Sequence, residues 1–192
     1  MMEAFLTSSA VVALAEVGDK TQLLAIVLAT RFKKPWPIVA GIFVATLANH
    51  FLAALVGEQA AAFLDGLWFR YLVAASFIVM GLWTLIPDKF DEDDESKPGR
   101  FGPFLATAIA FFLVEMGDKT QIATVALAAR FESVIPVMLG TTLGMMIANA
   151  PAVFLGNALI ERVPMRVVHM IAALLFVAIG LWLLVQTAGW LG

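Results

Sequence analysis

The chain contains no cysteine, only two histidines and a single tyrosine among its 192 residues. Without cysteine there are no disulfides, thiolate metal sites, cysteine nucleophiles or iron–sulfur clusters. Two histidines leave little material for a histidine-rich zinc site. Charge is also scarce, at 14% of residues, where globular domains carry about a quarter. The net charge of -3 and a pI near 5.3 argue against a nucleic-acid partner. What the chain has in abundance is apolar surface: 61% hydrophobic residues and a mean hydropathy of +0.93. A soluble fold of this length has no interior large enough to hide it. The composition is that of a small integral membrane protein, embedded in the lipid bilayer.

A helix needs about 20 mainly apolar residues to cross a bilayer. Six stretches qualify: residues 4–30, 36–56, 67–87, 103–129, 134–155 and 167–189. The first is not a cleavable signal, because it lacks a basic leader and carries Glu3, Glu16, Asp19 and Lys20. The runs are continuous, without the period-two alternation of a membrane β-barrel. Trp36, Trp68 and Trp190 fall near the expected ends, where an interfacial aromatic belt places them. The expected fold is all-α, with six transmembrane helices.

Loop charges give the orientation. Arg31, Lys33, Lys34, Lys89, Lys97, Arg100, Arg162 and Arg166 share one side, against Arg70 and Arg130 on the other. The richer side is expected in the cytoplasm, with both termini outside. Residues 88–100 (DKFDEDDESKPGR) then form an acidic cytoplasmic segment. A solvated linker is its plain reading, with weak cation gathering or regulation as the alternative.

The chain repeats itself. Residues 15–32 (AEVGDKTQLLAIVLATRF) recur at 114–131 (VEMGDKTQIATVALAARF), 99 residues later and without a gap. Pro37 matches Pro136, Gly41 matches Gly140, Gly57 matches Gly156, and Gly81-Leu82-Trp83 matches Gly180-Leu181-Trp182. The division is a three-helix unit at 1–87, a linker at 88–102 and a second three-helix unit at 103–192. A unit with an odd number of spans starts on opposite sides in its two copies, so the repeats are expected to be inverted. Secondary transporters use that architecture, with the ion site near the midplane, although channels and enzymes are also duplicated.

Six ionisable residues fall deep within the expected spans: Glu16, Asp19, Lys20, Glu115, Asp118 and Lys119. A charge at the bilayer centre costs about 2.5–3.5 kcal/mol on insertion scales. These groups must therefore face the protein interior or water. On a continuous helix Glu16, Asp19, Lys20 and Gln22 share one face while Thr21 points elsewhere, and Glu115, Asp118, Lys119 and Gln121 repeat the pattern. If the two motif helices cross at the pseudo-axis, Glu16, Asp19, Gln22, Glu115, Asp118 and Gln121 converge. Such an oxygen-rich, sulfur-free set suits a hard divalent cation, calcium, manganese or magnesium. Four carboxylates against two lysines leave a formal charge of -2, matched to one such ion. Metal and protons compete for the same oxygens, a direct route to exchange, with Glu16 and Glu115 as the expected proton carriers. Glu16–Lys20 and Glu115–Lys119 are also spaced as ordinary intrahelical ion pairs. Twice at midplane depth, those pairs need a further reason, and Lys20 and Lys119 are read as tuning charge and tethering the carboxylates.

Gly18 and Gly117 permit either a helix break or a close helix contact. Gly140 with Gly144, and Gly41 with Ala45, read as packing faces. Asn49, His50 and Asn149 lie within the second and fifth spans, and His50 aligns with Asn149 in the repeat. Each is an auxiliary ligand, a proton step or an interhelical hydrogen bond. Thr21 and Thr120 are further auxiliary candidates. Trp83 and Trp182 read as packing or interface residues.

The doubled motif, Glu16-Val-Gly-Asp19-Lys20-Thr21 and Glu115-Met-Gly-Asp118-Lys119-Thr120, resembles the E-x-G-D-(K/R)-(S/T) signature of the calcium/manganese cation antiporters. That family was long labelled uncharacterised protein family sixteen, near the lysine-exporter superfamily. The resemblance covers essentially the whole chain. It implies export of manganese, or of calcium in some members, in exchange for protons, with no resident cofactor and no enzymatic activity. A short chain that opens at its first span resembles a bacterial plasma-membrane member, for which manganese efflux is the expectation. A calcium/proton antiporter is the nearest alternative. An intramembrane hydrolase, for which no nucleophile is evident, and a passive cation channel are the more distant ones.

Overall fold

The computed structural model describes residues 1–64, 66–86, 101–156 and 164–189. These form eight helices: α1 (Met2–Glu16), α2 (Lys20–Phe32), α3 (Pro35–Phe63), α4 (Leu67–Thr84), α5 (Pro103–Glu115), α6 (Lys119–Phe131), α7 (Val134–Leu155) and α8 (Met165–Thr187). No strand occurs among the described residues. The acidic segment 88–100 lies outside them, as do Arg162 and Trp190.

Four helices, α3, α4, α7 and α8, are long and apolar enough to cross a membrane. The other two expected spans are not continuous. Residues 4–30 fold as α1 and α2, and residues 103–129 as α5 and α6, each pair parted at its Gly-Asp dipeptide. The surface bears the membrane reading out. Leu72, Val79 and Leu82 on α4, Leu139, Leu143 and Ile147 on α7, and Ile171, Leu174 and Leu181 on α8 are all exposed. Apolar side chains in that number would aggregate in water but are at home in lipid. Trp36 and Trp68 are exposed, and Trp36 meets Phe154 edge-on at 5.3 Å.

The 99-residue repeat is written into the backbone. Val17 and Met116, which end α1 and α5, have φ/ψ of -66°/116° and -68°/114°. Asp19 and Asp118, which start α2 and α6, have -76°/166° and -76°/167°. Lys33 and Glu132 both close their helices in the left-handed conformation.

Small residues set the helix contacts. α1 lies along α7, α3 against α5, and α4 along α8. A Cβ added at Gly140 would stand 2.4 Å from the Phe5 carbonyl and 2.9 Å from Ser8 Cβ. Its counterpart Gly41 meets the Phe104 carbonyl at 2.7 Å and Thr107 Cβ at 2.9 Å in the same sense. Gly81 and Gly180 face α8 and α4 reciprocally. The glycine stripes are therefore packing faces, as expected. They bring the backbones close enough to hold α1 and α5, and the residues at their ends, in fixed positions.

Candidate cation site at two broken helices

Each break is made by a glycine in a conformation that L residues avoid. Gly18 has φ 84° and Gly117 φ 81°. A Cβ at Gly117 would meet nothing within 4 Å among the described residues. The requirement there is conformational, not spatial. A broken helix inside a membrane exposes backbone amides and carbonyls that must find partners. Gln22 and Gln121 supply them. The Gly18 N–H donates to Gln22 Oε1 at 2.9 Å and the Gly117 N–H to Gln121 Oε1 at 2.6 Å. Gln22 Nε2 donates in turn to the Ala148 carbonyl at 2.9 Å. Gln121 Nε2 donates to Asn49 Oδ1, and Asn49 Nδ2 donates to the Phe112 carbonyl at 3.2 Å. Both glutamines thus brace the breaks and tie them to the long helices.

The acidic residues sit at the four helix ends that the breaks create. Glu16 and Glu115 end α1 and α5, and Asp19 and Asp118 precede α2 and α6 as N-caps. The carboxylates of Asp19 and Asp118 offset the positive ends of their helices, while the carbonyl ends of α1 and α5 carry partial negative charge. All four are buried, Glu16 and Glu115 completely.

Glu16, Asp19 and Asp118 each present an oxygen within 4.8 Å of the others. Two motif acids from the first half therefore meet one from the second. For a hard divalent ion, metal–oxygen distances of about 2.0–2.6 Å put opposed ligands roughly 4–5 Å apart. Oxygens at this separation can close on a single ion between them. Lys20 Nζ lies 3.0 Å from Asp118 Oδ1. Three ionised carboxylates and one ammonium leave a formal -2.

Glu115 stands outside this group. Its Oε2 accepts from Thr120 Oγ1 at 3.1 Å and lies 4.0 Å from His50 Nε2. Glu16 Oε2 accepts from Thr21 Oγ1 at 2.6 Å and from Asn149 Nδ2 at 3.3 Å. The repeat-related pair His50 and Asn149 thus face the repeat-related pair Glu115 and Glu16. Glu16 Oε1 and Glu115 Oε1 are buried with no hydrogen-bond partner among the described residues.

Three of these arrangements differ from the reading of continuous helices. Thr21 and Thr120 do not point away, because the breaks rotate α2 and α6 and swing both hydroxyls onto the glutamates. Lys20 reaches Asp118 in the other half rather than Glu16 one turn back. Lys119 bonds the Ile86 carbonyl at 3.1 Å and lies 5.9 Å over the Trp83 ring, so Trp83 does more than pack. Trp182 is exposed. One further polar residue was not evident beforehand: His169 Nε2 donates to the Val17 carbonyl, inside the first break, at 3.2 Å. Its only signal in the sequence is a histidine within an apolar span.

Buried charges gathered at paired helix breaks, in a protein sheathed in apolar side chains, define a membrane ion transporter. The chain belongs to the divalent cation/proton antiporter GDT1 family, whose model matches residues 4–92 and 103–190. It is a transporter and not an enzyme. A Vibrio cholerae protein named "Putative manganese exporter" is 47% identical over 94% of this chain and 90% of its own. A GDT1-like protein of Synechocystis is 31% identical, covering 92% of this chain and 94% of its own. GDT1-like protein 5 of Arabidopsis thaliana is 27% identical, covering 94% and 95%. No solved structure matches the chain.

Proposed function

We propose that this protein exports Mn2+ from the cytoplasm across a bacterial plasma membrane in exchange for protons. The observation that carries the reading is the convergence of Glu16, Asp19 and Asp118 from both halves. Manganese is favoured over calcium by the name of the Vibrio cholerae relative. In this reading α1 with α2, and α5 with α6, each cross the membrane once, so that six spans form two inverted units. The excess of Lys and Arg puts residues 88–100 in the cytoplasm and both termini outside. Glu16 and Glu115 take up protons when the ion leaves. Gln22, Gln121, Thr21, Thr120 and Asn149 hold the carboxylates and the breaks in place.

An inverted-repeat carrier works by closing one side as it opens the other. One closed side is visible. A Cβ at Gly57 on α3 would collide with the Val125 carbonyl and stand 2.9 Å from Ala128 Cβ on α6, so this seam is shut. In the proposed orientation it faces outward.

Transport into proteoliposomes tests the function. An antiporter accumulates Mn2+ in an acidic lumen, against its own gradient, as protons leave. Movement down the Mn2+ gradient alone identifies a passive channel instead, and preference for Ca2+ identifies a calcium/proton antiporter.

A further inference from the structure

The two halves offer the same carboxylates but not the same neighbours. Glu16 faces an amide, Asn149, and is one of the three acids that converge. Glu115 lies outside that group and faces an imidazole. His50 is completely buried, and neither ring nitrogen has a hydrogen-bond partner among the described residues. A buried polar group without a partner is costly and calls for a reason. Its Nε2 points toward Glu115 at 4.0 Å, too long for a hydrogen bond, and the opposite oxygen, Glu115 Oε1, is itself without a donor. An unmet imidazole nitrogen thus faces a carboxylate that itself has one unmet oxygen.

We infer that His50 is a specificity-determining ligand, giving the site a nitrogen donor that selects transition-metal divalent ions over calcium and magnesium. The inference rests on the transport function proposed above and adds the origin of its selectivity. Calcium and magnesium are bound through oxygen. Imidazole is a ligand for the first-row transition series, in which Mn2+ is the weakest binder. One nitrogen among several carboxylates therefore rejects the alkaline-earth ions. The oxygen majority keeps the site from becoming a trap for ions of higher nitrogen affinity. Placing the nitrogen beside Glu115, rather than among Glu16, Asp19 and Asp118, gives the ion a second set of ligands.

The test compares the full-length protein with His50→Asn and His50→Gln in proteoliposomes, measuring Mn2+ and Ca2+ transport side by side. His50→Asn copies the second half, where Asn149 occupies the related position. Changes in the outer shell of metal sites cost about 10–100-fold in affinity, so loss of a ligand is expected to lower the Mn2+/Ca2+ preference by about tenfold or more. In the same samples, pulsed electron paramagnetic resonance of bound Mn2+ is expected to show imidazole nitrogen coupling that both variants lose. A purely structural His50 would depress both ions together and leave the ratio unchanged, which overturns the inference. Absence of nitrogen coupling in the unmodified protein overturns it without any variant. If the unmodified protein moves Mn2+ but the ratio holds in the variants, the selectivity inference fails and the exporter reading stands. If it moves no Mn2+ at all, both fall.

Discussion

Lys20, which opens α2 of the first half, pairs at 3.0 Å with Asp118, which caps α6 of the second. The pair joins the two repeats at the point where their helices are broken. It also puts an ammonium in competition with any cation that Asp118 binds. Lys20→Gln should therefore raise affinity for Mn2+, by roughly 1–3 kcal/mol for one charge a few ångströms away at an intermediate dielectric. It should also slow turnover, because release becomes the difficult step. Equilibrium binding and initial transport rates on the same preparation check both. Weaker binding would show that Lys20 organises the site rather than competing within it.

Glu16→Gln and Asp118→Asn each remove one charge from the converging carboxylates while keeping the shape of the side chain. Transport should be abolished in both, with thermal stability and helical content close to those of the unmodified protein. Full activity in both variants would remove the proposed site.

Protons and metal compete for the same oxygens. A carboxylate that is protonated cannot coordinate, so apparent Mn2+ affinity should fall as pH falls and rise as pH rises. Binding isotherms across a pH series check the sign, and proton release on metal addition in weak buffer checks the stoichiometry. Affinity independent of pH would separate the proton route from Glu16 and Glu115.

The glycines make two distinguishable demands. Gly117→Ala meets open space but must adopt φ 81°, a strain of about 1–2 kcal/mol. Gly57→Ala has ordinary backbone angles but drives its Cβ into Val125 and Ala128, at a cost of about 1–3 kcal/mol for overpacking. Thermal melts should show both losses. The Gly57 variant should in addition expose the α3–α6 seam to a water-soluble thiol reagent when a cysteine is placed at Val125. Protection unchanged from the parent would count against that seam as a gate.

Much of this was legible in residue order alone. The duplication is visible at a fixed 99-residue offset, and the matched pairs Gly41 and Gly140, and Gly81 and Gly180, serve related helix contacts in the two halves. The six deep charges stand out because little else in the apolar runs is ionisable. The breaks were not decidable, since glycine permits both a bend and a close approach, and only the backbone angles at Gly18 and Gly117 separate the two. Everything that hangs on the breaks was hidden with them: the turn of Thr21 and Thr120 onto the glutamates, and the reach of Lys20 to Asp118. Asn49 shows a subtler limit. Its repeat position is Ala148, whose backbone carbonyl takes the Gln22 amide, whereas in the other half the Asn49 side chain takes Gln121. A side chain in one half does the work of a main-chain oxygen in the other, and an alignment of residue types cannot display that.

The most direct test is to locate Mn2+ itself. Anomalous scattering from crystals of the protein grown with Mn2+ should give a peak about 2.0–2.6 Å from oxygens of Glu16, Asp19 and Asp118, lost in Asp118→Asn. A peak bounded by neither these acids nor Glu115 and His50, or one that persists unchanged in that variant, would contradict the account.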